Sequence, residues 1–179
     1  MQARPLYTYL RLICRAIDGI NFWLGRGVAW LTVLVVLVVF ANVLLRYLLH
    51  SSFVFMQELE WHLFAMIFLL GGGYTLLKDG HVRVDIFYQR LSPRGRAWLN
   101  LFGVLLFLLP GCYLVISTSI PFVNSSLQML EGSPDPGGIP YRFILKSMIP
   151  LGFLLIALQG VAMGLRSVLT IVGGEKIDG

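Results

Sequence analysis

Five ionisable side chains lie near the ends of long apolar runs, and they are the first candidates for chemistry in this sequence: Arg46, Glu58, Glu60, His62 and Lys146. An ionisable group inside a membrane is costly, which makes it a candidate for an ion or proton pathway. At the end of a span, however, a long charged side chain reaches the headgroups at little cost. We therefore favour anchoring and ion pairing over transport, and we expect Arg46 to pair with Glu58 or Glu60.

Three histidines, His50, His62 and His81, raise the possibility of a haem. Bis-histidine ligation requires two histidines from facing helices at a similar depth. His81 lies in a basic loop at the opposite end of the apolar runs, so only His50 and His62 could pair. Cys14 and Cys112 lie in different segments, which predicts that they form no disulfide. No cysteine or histidine cluster has zinc spacing, and we predict no cofactor and no metal.

The composition is that of an integral membrane protein rather than a soluble one, and we predict that the chain is not an enzyme. Hydrophobic residues make up 57% of the chain and charged residues 13%, against about 25% charged residues in a typical soluble protein. Mean hydropathy is +0.79. The sequence contains no P-loop, GxGxxG, HExxH or GxSxG motif. The net charge of +5 is therefore interpreted as a matter of membrane topology and not of nucleic-acid binding.

Four apolar segments are long enough to cross a membrane as helices, since a span needs about 20 residues. The sequence therefore predicts an all-α protein with a single four-helix domain over residues 1–179. We predict spans at 22–48, 56–78, 94–120 and 141–170, a basic loop at 78–96, and two further loops at 47–57 and 121–141. Pro110 is expected to kink the third helix. Beyond Ser117 we expect an irregular or interfacial continuation.

The distribution of Lys and Arg predicts the orientation. The N-terminal segment contains four, the central loop five and the C-terminal end two, which makes eleven; only Arg46, Arg142 and Lys146 lie on the other side. Basic segments remain in the cytoplasm, so both termini are predicted to be cytoplasmic and loops 47–57 and 121–141 periplasmic. Residues 1–27 show apolar side chains at spacings of three and four beside several arginines. This pattern predicts an amphipathic helix on the cytoplasmic membrane surface.

Several polar and aromatic residues have predicted structural roles. Asn42, the one amide in the first apolar run, is expected to hydrogen-bond to another helix. Trp61 is typical of an interfacial anchor. Ser92 and Pro93 have the types preferred at the N-cap and first position of a helix. The three glycines at 71–73 suit either close helix packing or a flexible helix end.

The central loop contains the segment DGHVRVD at 79–85, which carries His81, Arg83 and Asp85. Its glycine permits a sharp turn between opposite charges. The segment could clamp a partner or a lipid headgroup, or it could be a solvated loop with local ion pairs. Composition does not choose between these.

In this order, the motifs resemble the small, DctQ-type membrane subunit of tripartite ATP-independent periplasmic (TRAP) transporters. The likeness covers about residues 25–170 and is carried by NVLLRY at 42–47, QELE at 57–60, KDGHVRVD at 78–85, Ser92-Pro93 and KSMIP at 146–150. The segment from His81 to Asp85 is similar to the family's His-Val-x-Val-Asp loop and is the most specific of these.

The resemblance implies a multi-pass subunit of the bacterial inner membrane, in contact with membrane lipids. Its partners would be a large membrane subunit, which carries the substrate and sodium sites, and a periplasmic binding protein, which delivers an organic acid. The small subunit would enlarge a fixed scaffold around an elevator. The binding protein could then dock on Glu131 or Asp135. The alternatives are a haem- or quinone-associated anchor of an oxidoreductase and a self-contained small transporter or channel.

Overall fold

The computed structural model describes residues 3–78, residue 88 and residues 90–173. The predicted site residues His81, Arg83 and Asp85 therefore lie outside the described residues, as does the polar tail after 173.

Four helices make up the described chain, and no strand occurs in these residues. They are α1 (Ala3–Leu48), α2 (Val54–Leu77), α3 (Pro93–Gln128) and α4 (Phe143–Gly173). Each contains a segment long and apolar enough to cross a membrane. The prediction of an all-helical protein with four such helices is confirmed.

Helix α1 is one uninterrupted helix of 46 residues. At about 1.5 Å per residue it extends over about 69 Å, more than twice the thickness of a bilayer core of about 30 Å. The structure therefore does not separate an interfacial helix from the first span. Cys14 and Ile17, in the N-terminal part, pack against Ala162 of α4.

Helix α3 continues through both of its internal prolines, Pro110 and Pro121. A π-helical turn at Val104–Leu108 ends two residues before Pro110, at the position where a proline disturbs the regular α-helical hydrogen bonds. Pro121 lies inside a helix that continues to Gln128, so the expected irregular continuation was wrong. One proline removes one backbone hydrogen bond, whereas in an apolar environment no water competes for the remaining bonds.

Helix α4 lies at the centre of the bundle and contacts the other three helices, while α1 also packs on α2. Glycines permit the closest approaches. A Cβ atom added to Gly152 would meet the Leu69 backbone of α2, and one added to Gly73 would lie 3.3 Å from the carbonyl carbon of Leu155. Because α2 continues through Gly73 to Leu77, the close-packing interpretation of the glycine run is confirmed.

Candidate functional site

A single carboxylate joins the start of α2 to the segment between α3 and α4. The Glu58 side chain is only 7% exposed. Its Oε1 accepts hydrogen bonds from Ser133 Oγ at 2.5 Å and from Arg142 Nη2 at 3.2 Å, and its Oε2 accepts one from the Ile139 N–H at 2.5 Å. We call these four residues the loop clamp. It fastens a loop that follows α3 to Glu58 of α2, which lies 75 residues before Ser133 in the chain.

The loop can reach the carboxylate because of its glycines. Gly137 has a φ of +81°, in the left-handed region that glycine adopts most readily. A Cβ atom on Gly138 would lie 2.6 Å from Glu58 Oε2. The Gly138 N–H donates to the Asp135 carbonyl at 3.1 Å and closes a turn, which leaves Asp135 exposed at the tip.

A second ion pair supports the same loop from the side of α4. Lys146 donates to Glu131 Oε2, and the Lys146 ammonium lies 4.0 Å from the centroid of the Phe122 ring on α3. The Arg142 N–H also donates to the Glu131 carbonyl at 2.8 Å. The hydrogen bond from the Lys146 ammonium holds the pKa of the Glu131 carboxyl below its usual range. Of the two predicted docking residues, Glu131 is thus bound within the chain, whereas Asp135 is exposed.

Trp61 and His62 lie beside the loop clamp. The Arg142 guanidinium lies 5.5 Å from the Trp61 ring centroid, a cation–π contact. His62 Nδ1 lies 2.6 Å from the Glu58 carbonyl oxygen, so Nδ1 is the protonated nitrogen because a carbonyl only accepts. His50 is exposed in the connection between α1 and α2. The facing-helix arrangement that haem ligation requires is therefore not formed by His50 and His62.

The predicted partners of Arg46 are engaged elsewhere. Asn42 of α1 donates to Glu60 Oε1 of α2 at 2.7 Å, which confirms the predicted interhelical hydrogen bond of Asn42. Glu58 pairs with Arg142. Among the residues that the structure describes, no ion pair includes Arg46, which is exposed. The predicted pairing was wrong because the loop after α3 brings Arg142 to Glu58.

A second polar cluster, which we call the α1–α4 network, lies near the opposite end of the bundle. Asn21 Nδ2 donates to Gln159 Oε1 at 2.9 Å, and Gln159 Nε2 donates to Asp18 Oδ1 at 2.9 Å. Arg166 pairs with Asp18 Oδ2. Asn21 and Gln159 are each only 1% exposed. The candidate site residues taken from the sequence did not include this cluster, although its signal was available: Asp18 is the one acid in the basic N-terminal segment, and Asn21 is three residues further along the helix.

These two clusters can hold helices and loops in place. Within residues 3–78, 88 and 90–173, no group of three or more His, Cys, Asp and Glu side chains could hold a metal ion. The described residues form a bundle of four membrane-length helices, with ion pairs that join residues 15 to 148 positions apart. That is the architecture of a helical membrane protein.

Comparison with known proteins gives the family. Residues 35–170 match the family described as "Tripartite ATP-independent periplasmic transporters, DctQ component", and the chain belongs to this family. The chain is also 28% identical, over 122 residues, to a candidate TRAP transporter small permease protein of Haemophilus influenzae; the match covers 68% of this chain and 73% of that protein. No solved structure matches the chain significantly.

Proposed function

We propose that this chain is the fixed scaffold subunit of a TRAP-type importer in the bacterial inner membrane. It supports a large membrane subunit, which carries the substrate and sodium sites and moves an organic acid delivered by a periplasmic binding protein. Membership in the DctQ family supports this proposal. The large subunit and the binding protein are the partners that such a subunit needs.

The ion pairs within the chain are the observation that supports a subunit that stays fixed, rather than one that moves, during transport. Three ion pairs between described residues join positions 84, 15 and 148 residues apart. Two of them hold the loop after α3 at one end, and the third joins α1 to α4 near the other. Only the Glu58 carboxylate, at 7% side-chain exposure, is nearly buried, and separating it from Arg142 would leave its charge buried and unpaired, which is costly. A subunit held in this way is suited to remain stationary while a neighbour moves.

The excess of Lys and Arg at the termini and in the central loop supports an orientation with both termini in the cytoplasm. The loop clamp then faces the periplasm, where the binding protein approaches. We propose Asp135 as a docking contact because it is exposed at the tip of the loop. Charge reversal by Asp135→Lys should slow association with the binding protein, since charges at the rim of an interface act mainly on the association rate.

Co-purification tests the proposed role. The tagged chain is extracted from its native membrane in mild detergent, and its companions are identified by mass spectrometry. We expect a stoichiometric large membrane protein. Recovery of the chain alone, or with a redox subunit and a haem absorbance band, would contradict the proposal.

Reconstitution then tests the transport role. Proteoliposomes that contain the large subunit with or without this chain receive the binding protein, the organic acid and an inward sodium gradient. We expect uptake only when both membrane subunits are present, and loss of uptake when potassium replaces sodium. Equal uptake without this chain would show that the scaffold is dispensable.

A further inference from the structure

A group of aromatic rings and cations lies where α1 and α2 meet, outside the loop clamp and the α1–α4 network. It consists of three rings and two cations, which we call the basic ledge: Phe22, Trp23, Tyr74, Arg26 and Lys78. The Phe22 ring centroid lies 5.8 Å from that of Trp23 and 6.3 Å from that of Tyr74. The three rings therefore form one continuous aromatic surface across the two helices.

The two cations of the basic ledge share one ring. The Arg26 guanidinium lies 5.7 Å from the Phe22 ring centroid and 5.7 Å from that of Trp23. The Lys78 ammonium lies 5.7 Å from the same Phe22 centroid and 6.0 Å from that of Tyr74. These distances are those of cation–π contacts. The Phe22 ring therefore holds one cation from α1 and one from the end of α2.

The contacts of these cations are with rings rather than with carboxylates. In the part of the chain that the structure describes, the ion pairs use other cations, namely Arg142, Lys146 and Arg166. A ring orients a cation but carries no negative charge of its own. The side chains of Arg26 and Lys78 are both exposed, so an anion can reach them from outside the bundle.

Both cations lie where an uncharged helical segment ends. Residues 27–45 of α1 and 61–77 of α2 contain no Asp, Glu, Lys or Arg. Arg26 directly precedes the first segment and Lys78 directly follows the second. Phospholipid headgroups lie at the ends of such apolar spans, and Trp and Tyr rings are enriched at the same level.

A close helix contact places these two ends at one height. A Cβ atom added to Gly25 would lie 2.3 Å from the Tyr74 ring, so this ring of α2 lies directly on the backbone of α1. Gly25 immediately precedes Arg26, and Tyr74 is about one helical turn before Lys78. The two cations therefore face the headgroups of the same membrane leaflet.

An apolar face continues from the basic ledge along α1. Trp23, Trp30 and Leu37 are all exposed and recur every seven residues, so they share one side of the helix. This side offers an apolar track to acyl chains, which a free phosphate ion does not have. The surface thus combines two oriented cations with a neighbouring apolar strip, which are the two features that a phospholipid requires.

We propose that the basic ledge binds the headgroup of an anionic phospholipid, with Arg26 and Lys78 as the ligands of its phosphate. Basic side chains beside membrane helices attract anionic headgroups. The Trp23 and Tyr74 rings lie beside the headgroup at the membrane–water interface. Lipid binding is not part of the scaffold role, so the site exists whether or not the chain supports a transporter.

The test uses the full chain, purified in mild detergent and depleted of lipid. Short-chain phosphatidylglycerol is titrated in, and binding is followed by native mass spectrometry and by thermal shift. Short-chain phosphatidylcholine, which has a phosphate but no net charge, and sodium phosphate at matched ionic strength are titrated separately.

The double variant R26Q/K78Q is compared with R11Q/R15Q, which removes two exposed cations from the N-terminal part of α1. We expect R26Q/K78Q to weaken the binding of phosphatidylglycerol by roughly fivefold for each cation, or about 25-fold, from the usual contribution of a cation near an anionic surface. R11Q/R15Q should bind as the unmodified chain does.

Four outcomes would overturn the proposal. Equal weakening in both double variants would show only general charge attraction. Equal binding of phosphatidylcholine and phosphatidylglycerol would show that acyl chains alone are recognised. A response to sodium phosphate as strong as that to phosphatidylglycerol would identify a free ion rather than a lipid. Absence of binding to the unmodified chain would leave no site.

A second variant keeps every charge. Phe22→Leu removes the ring that the two cations share, whereas Phe107→Leu removes an exposed ring of α3 and serves as the matched control. We expect F22L to weaken binding by less than R26Q/K78Q does, because both charges remain, and F107L to leave it unchanged. The melting temperature without lipid separates loss of binding from loss of folding. If folded F22L binds phosphatidylglycerol as F107L does, the rings do not position the cations and the proposal fails.

Discussion

The contact between Gly152 of α4 and Leu69 of α2 gives the sharpest test of how this bundle is held together. A Cβ atom added to Gly152 would lie 2.9 Å from the Leu69 carbonyl carbon and closer still to its oxygen. Both atoms belong to helix backbone, so no side-chain rotation can relieve the contact. Gly152→Ala should therefore push α2 and α4 apart along their length.

The magnitude follows from the distance. Carbon atoms pack best at about 3.5–4.0 Å, so α2 and α4 must separate by about 0.6–1 Å, and a gap of that size removes a quarter to a half of the dispersion attraction of each contact. Overpacking of this kind costs about 1–3 kcal/mol. Gly164 of the same helix is the matched control. A Cβ atom there would lie 3.6 Å from Val104 Cγ1, which is ordinary contact, and replacing glycine by alanine in a helix stabilises it by about 1 kcal/mol.

Unfolding in mixed micelles with increasing SDS, followed by far-UV circular dichroism, measures both variants against the unmodified chain. We expect Gly152→Ala to lower the free energy of unfolding and Gly164→Ala to leave it equal or raise it. The two variants should differ by the overpacking cost alone, about 1–3 kcal/mol, because the gain in helix propensity applies to both substitutions. If Gly152→Ala is as stable as Gly164→Ala, the helices do not approach as closely as described.

Three further outcomes follow from the polar contacts. Glu58→Ala should free the loop after α3, because the three donors of the loop clamp lose their shared acceptor. Protease cleavage of that loop should therefore be faster than in the unmodified chain. An equal cleavage rate would contradict the clamp. Folding lowers the pKa of Glu131, so its ion pair with Lys146 stabilises the loop fully at pH values above the ordinary glutamate pKa. This stabilisation is lost as the pH falls through the lowered pKa. The melting temperature should therefore fall over that acid range, and it should fall less in Glu131→Gln. Asn42→Leu should cost about 0.6 kcal/mol, the average for an interhelical hydrogen bond in a membrane. A double-mutant cycle with Glu60→Ala, which removes the acceptor, that shows no coupling would refute the contact.

Local patterns in the sequence predicted the local structure well. The apolar run lengths gave the existence of the four helices, because each span is a property of one continuous segment. Ser92 accepts the hydrogen bond of the Gly95 N–H at 3.2 Å, as the serine–proline pair predicted. Asn42 makes its interhelical bond because an amide in an apolar run has few other partners.

Contacts between segments far apart in the sequence could not be predicted from such local patterns. Arg46 and Glu58 are twelve residues apart, yet Glu58 binds Arg142, 84 residues away. A turn that depends on the positive φ of Gly137 decides that choice, and periodicity contains no information about it. Pro121 misled the prediction of the end of α3 because the usual cost of proline was applied without the apolar surroundings that preserve the remaining hydrogen bonds.

The distribution of polar residues also follows from the solvent. Side chains on the outer faces of α1, α2 and α3 are largely exposed and apolar. Because lipid tails are equally apolar, burial of these side chains gives the helices little free energy of association. The helices must therefore be held by close packing at glycines and by hydrogen bonds. Gly73 shows that the two devices act together, since a Cβ atom there would meet both Leu155 and the buried Asn21 of the α1–α4 network. Substitutions in this network should therefore impair the assembly of the subunit before they alter any transport step.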